Sequence, residues 1–275
     1  MNDTRIGFIG GGNMAGALLH GLIEDGTPPE RLVVAEPDAE RRQRLAERFG
    51  IAVTADNAEV AAHADLVVLA VKPQVLEAVA RALAPHLEAR RPLCLSIAAG
   101  VRHGTLSQWL GGEVPLVRAM PNTPAMLRAG ATGLYAPPEV SEAHRAAAEH
   151  VMRAVGLVIW VDDEALMDAV TAVSGSGPAY FFLFMEAMEA AARELGLDGD
   201  QARLLVRQTA LGATRMALES ELDLPDLRLG VTSPGGTTER AIAAFEAGDL
   251  RGLVKKALTA ARDRSLELSR QLENG

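Results

Sequence analysis

The sequence predicts two fold classes in tandem: a doubly wound α/β sheet over residues 1–162, then an all-α region over residues 163–275. Three observations predict this. Short apolar runs alternate with helical patterns throughout the first stretch, the order expected of a sheet with crossover helices. A glycine turn separates the first apolar run from the first helical pattern. After Asp163 the strand-like runs stop, and only helical periodicity remains.

Residues 5–9 form the first expected strand, followed at once by Gly10-Gly11-Gly12-Asn13-Met14-Ala15. Ala17, Leu18, Leu19, Leu22 and Ile23 then recur at helical spacing. Gly10, Gly12 and Ala15 fit the pattern G-x-G-x-x-A. The first glycine permits the tight turn, the second lets a pyrophosphate approach the backbone, and the alanine keeps helix and strand close. Residues 32–35 are the second strand, ending in Glu36. An acid there pairs with ribose hydroxyls and favours NADH. Arg41 and Arg42 stand where a guanidinium meets a 2′-phosphate, or else they form a solvated helix face with Glu40 and Arg44. Both dinucleotides stay open.

Residues 51–54 give a third strand, and Asn57 begins a short helix. Residues 66–71 are apolar throughout, as in a strand buried on both faces. They lead into Lys72-Pro73-Gln74. Ligands bind over the C-terminal ends of such strands, so Lys72 is placed for a cofactor hydroxyl or phosphate, or is a surface lysine. Residues 93–97 form a fifth strand ending in Ala98-Ala99-Gly100, small residues that let a flat group approach or simply turn the chain. Residues 115–120 form a sixth, ending in Pro121-Asn122-Thr123-Pro124, a rigid loop that presents an amide. Residues 131–135 and 157–161 are two further strands around a helix at 142–155, completing the far side of a Rossmann-type sheet.

Beyond Asp163 a helix is expected over 164–173, broken at Ser174-Gly175-Ser176-Gly177-Pro178. Residues 179–185 are then apolar on every side, and residues 202–218 leave only a thin polar stripe. A helix apolar all round must be buried all round. A region of about 110 residues can hardly achieve that alone, so an interleaved helical dimer is expected. Near the C-terminus, Val231-Thr232-Ser233-Pro234-Gly235-Gly236-Thr237-Thr238 turns into a helix marked by Ala241, Ile242 and Phe245. Its first-turn amides suit a small carboxylate or phosphate, unless the turn is only a cap. Residues 250–272 read as a structural amphipathic helix.

Net charge is −9 without a Lys/Arg cluster, so neither nucleic acid nor an anionic membrane is an expected partner. No apolar run approaches the roughly 20 residues of a membrane span. Cys94 is the single cysteine, and the six histidines show no metal-ligand spacing. With no signal-peptide pattern at Met1-Asn2-Asp3-Thr4-Arg5, the expectation is a cytoplasmic, metal-free protein. Reduction of a carbonyl needs a proton donor. Tyr135 and Tyr180 are the only tyrosines, and no histidine accompanies a glycine-rich or hydroxyl-rich turn of the second region. An imine can arrive already protonated and needs only a hydrogen-bond partner and a carboxylate seat.

Six motifs in order, Gly10 to Ala15, Ala70 to Gln74, Ser96 to Gly100, Met120 to Pro124, Ser174 to Tyr180 and Thr232 to Thr238, resemble the pyrroline-5-carboxylate reductase family. The resemblance implies reduction of 1-pyrroline-5-carboxylate to L-proline with NADPH or NADH. By motif it implies cofactor contacts at Gly10, Gly11, Gly12, Asn13 and Met14, with Asn57 near the adenosine. It further implies Ala70, Val71, Lys72 and Pro73 around the nicotinamide ribose, and Ala98 and Asn122 near the nicotinamide. For the substrate it implies Ser233, Gly235, Gly236 and Thr237 around the carboxylate, Thr238 as the catalytic hydroxyl on the ring nitrogen, and Glu221 nearby. Dimers, in the family often joined as five in a ring, are implied as well. Glu36 departs from the small polar residue often found near the 2′-phosphate, against strict NADPH use. Two rivals are another imine or β-hydroxyacid reductase of this layout and a non-catalytic NADPH sensor. The β-hydroxyacid enzymes generally carry a catalytic lysine at the start of the interdomain helix, and none lies between Asp162 and Glu194.

Overall fold

The computed structural model describes residues 4–274; Met1-Asn2-Asp3, used above to read the N-terminus, lie outside the described residues. Contacts divide the chain into two compact units, Met1–Ser176 with Ala260–Gly275, and Gly177–Thr259.

The first unit contains β1 (Ile6–Ile9), α1 (Asn13–Glu24), β2 (Leu32–Ala35), α2 (Ala39–Phe49), β3 (Ala52–Thr54), α3 (Asn57–His63), β4 (Leu66–Leu69) and α4 (Pro73–Leu87). It continues with β5 (Leu93–Ser96), α5 (His103–Trp109), β6 (Leu116–Met120), β7 (Gly130–Tyr135), α6 (Glu142–Arg153), β8 (Gly156–Trp160) and α7 (Leu166–Val170). The eight strands form one sheet in the order β3-β2-β1-β4-β5-β6-β7-β8. Neighbours are parallel except β6 and β7. Only the short helical turn Thr123–Leu127 joins that pair, too little chain for a parallel crossover. β7 and β8 are joined through α6 and run parallel.

Successive residues of each strand face opposite layers. Phe8 packs with Leu18, Leu22, Leu95 and Leu134 on one side. Ile9 packs with Val67, Leu76, Leu83 and Leu106 on the other. Each such side chain contributes roughly 1.5–3 kcal/mol by leaving water. Register sets Ile9 level with Ala35 and Leu69, and Leu69 level with Ser96. The segments after β1, β2, β4 and β5 therefore emerge side by side. β1 and β4 are adjacent at the point where strand order reverses, the place where such sheets bind ligands.

Two expectations change. The strand expected over 66–71 stops at Leu69: Ala70 makes a last rung to the Ile9 carbonyl (2.9 Å), and Pro73 begins α4 behind an extended Lys72. The break expected at Ser174 to Pro178 shrinks to a bend at Ser176. The chain continues from α7 through a wide helical turn, Thr171–Gly175, and α8 (Gly177–Glu194) follows the bend. The Ser176 N–H bonds the Thr171 carbonyl (2.8 Å), and Ser174 Oγ donates to the Val170 carbonyl (2.9 Å). Hydroxyls that look like loop formers here bond back onto the preceding turn.

Compactness also divides the chain elsewhere than the composition shift near residue 162. α7 packs on the sheet, with Val170 against Gly133. Buried Asp168 accepts from Arg102 Nη2 (2.9 Å) and from Ser265 Oγ (2.7 Å). Helical residues on both sides of 177–259 thus belong with the strands.

The second unit holds α8, α9 (Gly199–Glu219), α10 (Leu224–Gly230), α11 (Thr237–Ala247) and the start of α12 (Leu250–Asn274). Asp198 and Gln201 close a capping box at the head of α9. Phe181, Phe182 and Leu183 on α8 are 69%, 62% and 66% exposed. Leu204, Leu205, Leu211, Met216 and Leu218 on α9 are also exposed. A single copy leaves uncovered the helices whose composition demands burial. Among the described residues no helix is long and apolar enough to cross a membrane.

Candidate active site

The expected cofactor residues all lie in the first unit, and most gather at the strand-order reversal. Gly10 has φ +98°, and its N–H bonds the Ala35 carbonyl (2.8 Å). A side chain there would meet the Ala70 carbonyl oxygen at 2.9 Å, so Gly10 is held between β2 and β4. Gly12 is the N-cap of α1, and a Cβ on it would touch nothing within 4 Å. No side chain caps the helix, and no acid stands in its first turn. The N–H groups of exposed Asn13 and half-buried Met14 stand at the positive end of the helix dipole, a fit for pyrophosphate.

Glu36, almost wholly buried, places one carboxylate oxygen on the Gly11 N–H (2.9 Å) and the other on the Asp38 N–H (3.1 Å). Arg41 Nη1 adds a contact at 3.3 Å. Two carboxylate oxygens offer about four acceptor positions, so capacity for a ribose hydroxyl remains. Arg42 donates to the carbonyls of Glu36 (2.6 Å) and Pro37 (2.7 Å). These arginines therefore brace the β2–α2 turn and are more than a solvated helix face.

Asn57 opens α3 behind the Asp56 cap and is half-buried. Ala70 and Val71 form the turn after β4, exposed Lys72 caps α4 and Pro73 is its first residue. Ala98 is buried after β5, where Gly100 packs on Leu268 and Leu272 of α12. Asn122 differs from the expected free amide. Its Nδ2 donates to the Ser174 carbonyl (3.0 Å), and its Oδ1 accepts the Ala131 N–H (2.9 Å). Its side chain ties β6, β7 and the wide helical turn together. Burial pushes the Cys94 thiol up to about 12, which makes it inert.

The expected substrate residues lie in the second unit. Gly235 has φ +73°, which lets the chain reverse after Pro234. Gly236 is the N-cap of α11, with no side-chain cap. The amide implied at Gly236 and the neighbouring Gly235 amide are already engaged. The Gly235 N–H donates to Glu239 Oε2 (2.8 Å), and the Gly236 N–H donates to the Ser233 carbonyl (3.0 Å). The amides that remain are those of Ser233, Thr237, Thr238 and Glu239, because Arg240 bonds Gly236. Ser233 and Thr237 are exposed and Thr238 is half-buried, and among the described residues none of their hydroxyls has a partner. Exposed Glu221 lies in the bend between α9 and α10. Glu239 was missed by sequence reasoning, although an acid at the third position of a helix is a visible capping signal.

Also missed was a buried polar cluster of the first unit. Arg118 pairs with Glu164, and the His103 N–H donates to Glu164 Oε1 (2.5 Å). His103 Nε2 is buried without a hydrogen-bond partner, and its ring meets Tyr135 edge-on at 6.2 Å. Burial lowers the His103 pKa, against the opposing pull of Glu164. Its residues are scattered singly along the chain, so no local motif announces them. Among the described residues no group of three or more His, Cys, Asp or Glu could hold a metal ion.

A glycine turn over an uncapped helix, at the reversal point of a doubly wound sheet, defines a dinucleotide-dependent oxidoreductase of Rossmann type. Residues 5–100 match the profile described as NADP oxidoreductase, coenzyme F420-dependent, and residues 164–268 match pyrroline-5-carboxylate reductase dimerisation. The chain belongs to the pyrroline-5-carboxylate reductase family. It is 53% identical to the pyrroline-5-carboxylate reductase of Pseudomonas aeruginosa over 272 residues, covering 99% of each chain. The Vibrio alginolyticus enzyme is 44% identical, over 98% of this chain and 99% of its own. Among solved structures, the reductase of Coxiella burnetii superposes with a TM-score of 0.94 at 50% identity, covering 98% and 99% of the two chains. The Plasmodium falciparum enzyme, solved with NADP bound, gives 0.85 at 29% identity and the same coverage.

Proposed function

We propose that this chain reduces 1-pyrroline-5-carboxylate to L-proline with NADPH or NADH, the last step of proline synthesis. The observation that carries this reading is full-length kinship to reductases of that name, at up to 53% identity. When bound, a reduced nicotinamide would supply a hydride to the carbon of the already protonated imine, so that the C=N pair becomes the lone pair of the neutral amine. Gly10 to Met14 seat the pyrophosphate on the head of α1. Asn57 and Glu36 serve the adenosine side, Ala70 to Pro73 the nicotinamide ribose, and Ala98 and Asn122 the nicotinamide end. Glu36 favours NADH by repelling a 2′-phosphate, while Arg41 beside it offsets that repulsion.

In the second unit the open amides of Thr237 and Thr238, with Ser233, receive the substrate carboxylate at the head of α11. Gly235 and Gly236 act by shaping that turn. The Thr238 hydroxyl hydrogen-bonds the ring nitrogen and stabilises the amine as it forms. Glu221 lies on the substrate side. The helical region 163–275 serves both as substrate domain and as the seat of dimerisation, with five dimers in a ring as the assembly. The enzyme works in the cytoplasm without metal.

Purified protein is expected to oxidise NADPH and NADH only when pyrroline-5-carboxylate is added, read as loss of reduced-nicotinamide absorbance. Absence of substrate-dependent oxidation with both cofactors overturns the reading.

A further inference from the structure

A groove between α1 and α2 carries charge of one sign. Gly12 and Gly16 stand one turn apart on α1, and a Cβ on either would touch nothing within 4 Å, so the backbone there is bare. α2 closes over the glycine turn, near enough that a side chain at Gly11 would come within 2.5 Å of Leu45 Cδ1. Arg41, Arg44 and Arg48 recur on α2 at three- and four-residue spacing, which sets them on one helix face, and all three line the groove. His20 lines it one turn beyond Gly16, and no Asp or Glu does. Like charges at that spacing destabilise a helix. Arg41 also stands in the first turn of α2, where the helix dipole disfavours a cation. The chain neutralises these arginines poorly. Arg41 meets buried Glu36 (3.3 Å), whereas Arg44 reaches only exposed Glu40 (3.5 Å), a pair worth little in water. The Arg48 guanidinium lies over the Phe49 ring (4.9 Å) and has no carboxylate partner among the described residues. Three arginines are too few for a polynucleotide or a membrane, but they suit one small anion.

We propose that this groove is a site for a phosphate monoester, held by Arg44 and Arg48 through charge-assisted hydrogen bonds. Its volume, about 310 Å³, stands at the small end of the roughly 300–1,000 Å³ of small-molecule sites. A guanidinium stays charged and presents a planar fork of donors that matches phosphate oxygens in pairs. The groove begins at Gly12 and Asn13, where the dinucleotide pyrophosphate is proposed to sit, and follows α1 to His20. α1 runs back from the C-terminal ends of the strands, so the groove leaves the edge over which Lys72 and Ala98 stand. It therefore extends the proposed cofactor seat in a direction that the nicotinamide does not take. Two sources supply this chemistry: the 2′-phosphate of NADPH, and a separate phosphorylated small molecule. In either case Arg44 and Arg48 hold what Arg41, engaged by Glu36, cannot hold alone. The inference rests on the proposed dinucleotide seat only in placing NADH outside the groove.

The test is calorimetric titration of the full-length protein with inorganic phosphate, NADH being saturating so that the pyrophosphate seat is filled. Phosphate is expected to bind. Arg44→Gln combined with Arg48→Gln is expected to weaken it about tenfold or more, with the helical content unchanged. Arg44→Lys with Arg48→Lys, which keeps the charge, is expected to retain most of the affinity. Titration with NADPH then separates the sources. For the 2′-phosphate, NADPH displaces phosphate, and the glutamine pair lowers the affinity for NADPH but not for NADH. For a separate molecule, phosphate binds equally well beside NADPH, and both dinucleotide affinities stay as they were. A glutamine pair that matches the unsubstituted protein for phosphate, NADPH and NADH alike overturns the groove assignment. Failure of the unsubstituted protein to bind either dinucleotide overturns the cofactor reading by itself, and phosphate titrated into the free protein then judges the groove by the same comparison.

Discussion

The two units handle apolar side chains in opposite ways. In the first, Phe8, Ile9 and Leu69 are fully buried between helices of the same unit. In the second, Phe181, Phe182 and Leu183 stand mostly exposed on a helix of the same apolar character. The difference is geometric. A parallel sheet offers two faces, and each crossover helix covers part of one, so nearly every apolar residue finds a neighbour within the unit. A few antiparallel helices cannot surround a helix that is apolar all round. The first unit buries most of its core and leaves bare edges such as Leu157 and Ile159 on β8, whereas the second leaves most of the apolar surface of α8 and α9 uncovered.

That contrast can be broken by a pair of truncations. Leu69→Ala should cost about 2–5 kcal/mol, because a buried leucine leaves a cavity that cannot fully collapse. Urea unfolding should show that loss at every protein concentration. Leu183→Ala should change the monomer by no more than about 0.5 kcal/mol, as expected of an exposed site. It should nevertheless raise the dimer dissociation constant about tenfold, read by sedimentation over a dilution series. Equal, concentration-independent losses for both variants would mean that α8 is buried within its own chain.

A smaller effect separates the chemistry of the units. Thr238→Ala should lower turnover by about tenfold to a hundredfold, the scale of one hydrogen bond to a charged or developing polar centre. Cofactor affinity, measured by quenching of reduced-nicotinamide fluorescence, should stay unchanged, because the proposed dinucleotide seat lies in the other unit. In that unit, Glu36→Ser should shift kcat/KM for NADPH relative to NADH by about tenfold toward NADPH, as removal of a facing negative charge implies. The ratio is the readout of choice, since Glu36 also holds the Gly11 N–H and its loss loosens the glycine turn for both cofactors.

The smallest effect concerns acid. Burial holds His103 below its ordinary value of 6.5, with Glu164 and Glu139 pulling up and Arg118 pushing down. The unfolded chain therefore binds a proton there that the folded chain refuses. Stability falls as pH drops below about 6.5 and flattens once pH passes the folded-state value. His103→Gln should lessen the slope of unfolding free energy against pH in that window; an identical slope would assign the acid sensitivity to other groups.

Much of this was legible in the chain order. The alternation of apolar runs and helical patterns located all eight strands, and the glycine pattern located the turn into α1, because sheet layering and backbone crowding act over a few consecutive residues. The break read over Ser174 to Pro178 is narrower than expected for an equally local reason: a serine favours a loop only until its hydroxyl finds a preceding turn to bond, as that of Ser174 does with Val170. The Asn122 amide read as an offered ligand group, yet Ser174 and Ala131 claim both of its ends. No local pattern shows such distant partners.

The sequence by itself determined the fold class, the glycine turn and the turn before α11, since each rests on residue types whose backbone preferences and spacing are written consecutively. Tertiary structure alone decided which polar groups remain open. It gave Gly235 to Glu239, returned residues 163–176 and 260–274 to the unit of the sheet, and left β8 and α8 bare. Those outcomes depend on packing between segments far apart in the chain, which no run of neighbouring residues encodes.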